Sequence, residues 1–182
     1  MSQKCYQLEL VGILLKDNSH IRGLAKQLKT NQMMVSRKIK ELEKDNVVDF
    51  RQEGKNKVYF LKKTVEAQEH AYLFEHYRLL QALRQYSLLK GIIQNIRLNP
   101  KVRLVILFGS YAKGTAHKDS DIDVYAETMG REIKKEIELI NSRLSVKIGK
   151  YDKKSLLIQE IEKNHIIIKG AEIYYEKNKF FE

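Results

Sequence analysis

The stretch LFGSYAKGTAHKDSDIDVYAE, residues 107–127, decides how this chain is read. An apolar run, Val105 to Phe108, passes straight into Gly109-Ser110, and ten residues later a second apolar run opens with Asp121-Ile122-Asp123. Side chains on a strand alternate between faces, so Asp121 and Asp123 share one face while Ile122 and Val124 turn to the other, into a core. Two neighbouring carboxylates repel unless something positive sits between them. A hard divalent ion, Mg²⁺ or Mn²⁺, is suited to that place, because it takes carboxylates together with substrate phosphates. Gly109 allows close backbone approach, and Ser110 stands where a helix begins and offers free N–H groups and a hydroxyl to a phosphate. A phosphate cradle and metal-binding carboxylates on adjacent strands describe metal-assisted phosphoryl or nucleotidyl transfer.

The residues around this stretch read as a small α+β or α/β sheet domain spanning 100–182. VRLVILFGS is a buried strand ending in a turn, and YAKGTAHKDS is a short helix and loop, with Gly114 near the helix end. DIDVYAE is a second strand. GREIKKEIELINSRL is an amphipathic helix with Ile133, Ile137 and Ile140 on one side. SVKIGKY is a third strand, DKKSLLIQEIEKN a helix with Asp152 as its N-cap, and IIIKGAEIYYE one or two short strands. Upstream, residues 64–99 lack proline and form a helical stripe through Tyr72, Leu79, Leu83, Tyr86 and Ile93, widened by Leu73, Leu80, Leu89 and Ile96. One continuous helix from Thr64 to Leu98 would be ~50 Å long, with Gly91 the residue able to break it. Such an element can join two domains, pair with its own copy in a homodimer, or pack on its neighbours.

The first 63 residues form a further domain. YQLELVGILLKD has helical spacing, and Ser19 is placed to cap a second helix carrying Ile21, Leu24, Ala25 and Leu28. Lys29-Thr30-Asn31 is a turn, and Asn31 caps a third helix that buries Met34, Val35, Ile39 and Leu42 and displays Gln32, Ser36, Arg37 and Lys40. VVDFRQEGKNKVYFLKK then changes to strand periodicity around a turn with a basic tip, Lys55 and Lys57.

The net charge is +11, and residues 1–64 hold 14 Lys/Arg against 7 Asp/Glu. That excess favours a polyanionic partner. The single cysteine, Cys5, excludes an intrachain disulfide and a cysteine-based zinc site. No apolar run approaches the ~20 residues of a membrane span, and the N-terminus lacks the apolar core of a secretory signal. The chain reads as soluble and cytoplasmic.

Three helices followed by a hairpin resemble the winged helix-turn-helix family, over residues 5–63. The resemblance implies DNA binding, with Gln32, Ser36, Arg37 and Lys40 contacting bases from the third helix and Lys55 and Lys57 contacting DNA from the wing. Gly109-Ser110, ten intervening residues and Asp121-Ile122-Asp123 resemble the signature of the DNA polymerase beta-like nucleotidyltransferases, over roughly residues 100–176. The compact size is similar to the minimal branch, which includes kanamycin-type aminoglycoside nucleotidyltransferases and the antitoxins of some toxin–antitoxin pairs. This resemblance implies that Ser110 contacts a nucleoside triphosphate, that Asp121 and Asp123 hold two divalent metals, and that a nucleoside monophosphate passes to an acceptor hydroxyl. Catalytic members carry a third carboxylate on the next long strand. In LSVKIGK the matching positions hold Lys147 and its neighbours Val146 and Ile148, and Glu127 is an acid close to the pair in sequence that could take the third place. Two functions follow from the sequence. One is a nucleotidyltransferase on a DNA-binding chain. The other is a regulator or antitoxin whose degenerate domain binds a nucleotide or a cognate toxin.

Overall fold

Leu10, Val11 and Leu14 on one helix, Leu24 and Leu28 on a second, and Val35, Ile39 and Leu42 on a third are all buried in one cluster, and they hold the N-terminal elements together. The computed structural model describes residues 4–182. Its elements here are α1 (Tyr6–Leu14), α2 (Ile21–Leu28), α3 (Gln32–Lys44), β1 (Val48–Glu53) and β2 (Asn56–Leu61). Full burial of each such leucine or isoleucine contributes about 1.5–3 kcal/mol. Asn31 caps α3 as expected, its Oδ1 accepting from Met34 N at 2.8 Å. Met34 itself is only half-buried. β1 and β2 pair antiparallel from Val48↔Leu61 to Glu53↔Asn56, which leaves Gly54-Lys55 as a two-residue turn with Gly54 at φ 60. The arrangement is a winged helix-turn-helix.

Two expectations for this region need correction. Ser19 does not cap α2, whose N-cap is His20. Its backbone instead exchanges hydrogen bonds with Tyr59 (3.1 and 2.8 Å), adding a bridge to the edge of β2. Lys57 does not sit at the hairpin tip. It faces Gln52 across the ladder, and its ammonium lies 3.6 Å from the centre of the Phe50 ring.

The chain divides into two units: one ends at Tyr77 and takes in Phe180–Glu182, and the other spans Arg78–Lys179. The division falls inside α4 (Val65–Gln85), which buries Ala67 and Ala71 in its first half and Leu79 and Ala82 in its second. The expected break at Gly91 lies earlier. Tyr86-Ser87-Leu88 separates α4 from α5 (Leu89–Leu98), with short-span bonds Leu89 N→Tyr86 O and Lys90 N→Ser87 O. Gly91 continues α5, because the buried face of Leu89, Ile92, Ile93 and Ile96 outweighs the ~1 kcal/mol that a helical glycine costs.

The second unit is built on β3 (Val105–Leu107), β4 (Ile122–Glu127), β5 (Leu144–Gly149) and β6 (Ile166–Lys169), in the spatial order β5-β4-β3-β6. β4 runs antiparallel to β3 and parallel to β5, and β6 runs antiparallel to β3. One face of this mixed sheet carries Val105, Leu107, Ile122, Val124, Ala126 and Val146. They pack in one cluster with α5 and with Ile133 and Ile137 of α7 (Arg131–Glu138). The opposite face carries Ile106, Tyr125 and Ile167, all buried. Tyr125, Tyr151 and Tyr174 stack edge-on in succession there, with ring centres 6.2 and 6.0 Å apart. Glu162 of α8 (Leu156–Lys163) accepts hydrogen bonds from the hydroxyls of Tyr151 and Tyr174. No helix among the described residues is long and apolar enough to cross a membrane.

Two further expectations change here. AEIYYE is not a strand but the start of α9 (Ala171–Asn178), where Tyr174 and Tyr175 are buried. β-branched and aromatic composition suggested a strand, but Gly170 turns the chain out of β6 at φ 85, so close to the Arg103 carbonyl that a Cβ would lie 2.2 Å from its oxygen. Nor does Asp152 cap α8. Ser155 does, its Oγ accepting from Ile158 N at 3.2 Å, while Asp152 Oδ1 closes a local turn on Lys154 N. Ser155→Ala is therefore expected to cost about 1 kcal/mol, and Asp152→Ala clearly less, as measured by urea unfolding of both variants beside wild type.

Candidate active site

β3 and β4 bring the two halves of the Gly-Ser and Asp-Ile-Asp pattern together. Leu107 lies opposite Val124, and Phe108 N donates to the Asp123 carbonyl at 2.9 Å. The chain then turns directly into α6 (Gly109–Lys113). Gly109 adopts φ 67, and a Cβ on it would fall 2.2 Å from Asp123 Oδ2. The turn and the carboxylate thus fill the same space, which only glycine leaves open. Asp123 is half-buried and Asp121, at the mouth of the strand, is exposed, while Ile122 and Val124 are fully buried on the other face, as alternation requires. Ser110, half-buried, is the second residue of α6, and its carbonyl accepts from Thr115 N at 3.0 Å.

Burial, and after it the Asp121 charge, push the Asp123 carboxyl above the usual carboxylate range, and Lys147 and Lys113 pull it partly back. Lys113 also pairs with Glu160 at 3.3 Å. The β4–β5 register explains the presence of Lys147. Asp123 lies beside Ser145 and Tyr125 beside Lys147, so Ser145 and Lys147 share the Asp123 face, while Val146, opposite Val124, is buried. Glu127 is not near the pair. It lies at the far end of β4, where Lys177 Nζ approaches it at 2.9 Å and Tyr151 N donates to it at 3.2 Å. A cavity of about 230 Å³ lined by Arg103, Glu127, Ile173, Glu176 and Lys177 opens at that end. Among the described residues no group of three or more acidic, histidine or cysteine side chains gathers to hold a metal. The chemistry of the two carboxylates, hard oxygen donors under mutual repulsion, fits one hard cation.

Residues 90–179 match the family model described as polymerase beta, nucleotidyltransferase. The unit built on β3–β6 is a nucleotidyltransferase-like domain. A stretch of 45 residues is 44% identical to the protein adenylyltransferase MntA of Shewanella oneidensis, covering 25% of this chain and 30% of that protein. The match therefore spans under a third of that relative's length. Among solved structures, a toxin–antitoxin complex with AMP-PNP overlaps 56% of this chain and 81% of its own, at 23% identity and a TM-score of 0.33. The transcriptional repressor BigR from Xylella fastidiosa overlaps 40% of this chain and 71% of its own, at 24% identity and a TM-score of 0.37.

Sequence reasoning missed a residue that ties this nucleotidyltransferase-like domain's motif together. Arg143, in the segment leading into β5, donates from Nε and Nη2 to the Ser120 carbonyl (3.2 and 2.6 Å) and from Nη2 to the Tyr111 hydroxyl at 2.8 Å. It holds α6 and the residue before Asp121 at once, and its own carbonyl accepts from Ile122 N at 2.8 Å. Ser120 is buried, with its Oγ accepting from His117 N at 2.9 Å. No spacing in the sequence signals Arg143, because its partners lie 23 and 32 residues away. In the N-terminal unit, Gln32, Arg37 and Lys40 are exposed along α3 and Ser36 is half-buried, while Lys55 occupies the hairpin turn. Met33, 84% exposed beside Gln32, was not anticipated as a surface residue.

The raised Asp123 carboxyl has a consequence for stability. Its protonated form is favoured in the folded chain, so its contribution is present at low pH and lost as pH rises through the folded value. In the presence of EDTA, Asp121→Asn is expected to raise the thermal midpoint at about pH 7 and to leave it unchanged near pH 3, below the carboxylate range. An equal gain at both values would show that repulsion by Asp121 is not what loads the site. Gly109→Ala should lose about 1–3 kcal/mol of stability by displacing the Asp123 carboxylate, as read by denaturant unfolding.

Proposed function

We propose that the chain transfers a nucleoside monophosphate from a nucleoside triphosphate to an acceptor hydroxyl, and that it also binds DNA through its N-terminal unit. The observation that carries the first part is the packing of Gly109 against Asp123, within residues that match a nucleotidyltransferase family. In this reading Asp121 and Asp123 would hold Mg²⁺ or Mn²⁺, and Gly109 and Ser110 would receive the triphosphate at the start of α6. The ion, when bound, supplies charge neutralisation to the phosphates. The acceptor oxygen bonds to the α-phosphorus and the bond from that phosphorus to pyrophosphate breaks. Pyrophosphate leaves with the electron pair, and the hydroxyl proton passes to solvent. The printed name of the relative, a protein adenylyltransferase, makes ATP and a protein hydroxyl the first pair to test.

Incubation with α-³²P-labelled ATP or GTP and Mg²⁺ or Mn²⁺ should label a protein or an RNA, and Asp121→Asn/Asp123→Asn should abolish the label. Absence of label from wild type overturns turnover and leaves the second reading. In that reading the chain is a regulator or antitoxin whose domain binds a nucleotide or a protein partner, such as a toxin, without transfer. It is favoured by one observation, the lysine rather than an acid on the Asp123 face of β5.

For DNA, the exposed Arg37 and Lys40 of α3 and Lys55 of the wing support contact with the phosphates and a groove, and a dimer would present two such helices to a palindromic site. Binding should weaken steeply as salt rises, and Lys55→Ala should lower the slope of log K against log salt by about one. A slope unchanged in Lys55→Ala would remove the wing from the interface.

A further inference from the structure

Two cations act on the Asp123 carboxyl from different elements: Lys113 from α6 and Lys147 from β5. They are not equivalent. Lys113 is shared with Glu160, an exposed partner at 3.3 Å. Lys147 comes from the strand hydrogen-bonded to the one that carries the pair. The parallel register places it two residues beyond Ser145, the neighbour of Asp123, and therefore on the same face. A side chain of that length, anchored one strand away, reaches the space in front of Asp123 while its head remains in water, and Lys147 is exposed. The other groups that β5 could have contributed on this face are Ser145, which is neutral, and Gly149, which has no side chain.

A site that holds two divalent ions needs carboxylates enough to bridge and surround both. Here the pair supplies two carboxylates, Glu127 is held at the far end of β4 by Lys177 and Tyr151 N, and the facing strand brings a positive charge. An ammonium and a second divalent ion compete for one place. Both are positive, and both are attracted to the same carboxylates and the same phosphates.

We infer that Lys147 stands in for a second metal ion, so that the site takes a nucleoside triphosphate with a single divalent cation and an ammonium against the phosphates. This rests on the nucleotide-binding reading above and specifies the ion content of that site. Ser145, directly beside Asp123, leaves room for that single ion to keep water ligands. The number of ions and the strength of nucleotide binding are thereby both under the control of residue 147.

The experiment titrates Mn²⁺ into the full chain with α,β-methylene-ATP, counting free Mn²⁺ by electron paramagnetic resonance and following nucleotide binding by calorimetry. Wild type is expected to take one Mn²⁺ per nucleotide complex, and Lys147→Glu two. Lys147→Ala should bind the nucleotide about tenfold or more weakly at limiting Mn²⁺, with recovery in Lys147→Arg. Two ions in wild type, one in Lys147→Glu, or an unchanged affinity in Lys147→Ala would each overturn the inference. Asp121→Asn/Asp123→Asn separates this failure from a failure of the site itself. If that variant binds nucleotide and Mn²⁺ as wild type does, the site is elsewhere. If it loses both while Lys147→Ala is unaffected, the site stands and only the role of Lys147 falls.

Discussion

The contact between the Gly109 backbone and the Asp123 carboxylate is the constraint on which the second unit depends. Antiparallel pairing of β3 with β4 brings the end of one strand against the start of the other, and the chain must turn there into α6. It does so at a positive φ, in the space a side chain would have occupied. The strand, the turn and the acid are thus fitted to one another. Arg143 secures the same junction from outside, through Tyr111 of α6 and the Ser120 carbonyl. Both faces of the sheet are covered, so β4 cannot slip by one residue without burying its acids and exposing Ile122 and Val124.

The electrostatics follow from this geometry. Partial burial raises the cost of charge on Asp123, and Asp121 raises it further. Lys147 and Lys113 offset part of the cost. Tyr125 and Tyr151 show how differently the same sheet face treats its other polar groups. Both are pushed well above the usual tyrosine range, chiefly by burial, and stay neutral, with their hydroxyls spent on the Gly149 carbonyl and on Glu162. One end of that face is a hydrogen-bonded, aromatic interior. The other is charged and open.

The winged unit rests on different physics. Its core is a contiguous cluster of leucine, isoleucine and valine, and its polar residues are distributed around that core by helical and strand periodicity. The Phe50–Lys57 contact is worth about 0.5–1 kcal/mol at an exposed position. It occupies an ammonium that the sequence alone would have assigned to the hairpin tip.

Much of the architecture was legible in the residues because it depends on local periodicity. The helical stripes of α2, α3, α5 and α7, the Asn31 cap, the β1–β2 hairpin and the burial of Ile122 and Val124 on the face opposite Asp123 all follow from spacings of two, three or four residues. The failures have a common cause in longer-range context. Ser19 was taken from capping by pairing with Tyr59, and Asp152 yielded the α8 cap to Ser155. AEIYYE became helical once Gly170 turned at the Arg103 carbonyl, and the helix break fell at Tyr86–Leu88 because burial held Gly91 in α5. The identity of the residues that surround the acids lay furthest beyond the sequence. Ser145, Lys147 and Arg143 come to the pair through strand register and hydrogen bonds across 20 residues or more, and register is settled only when both faces of the sheet find their partners.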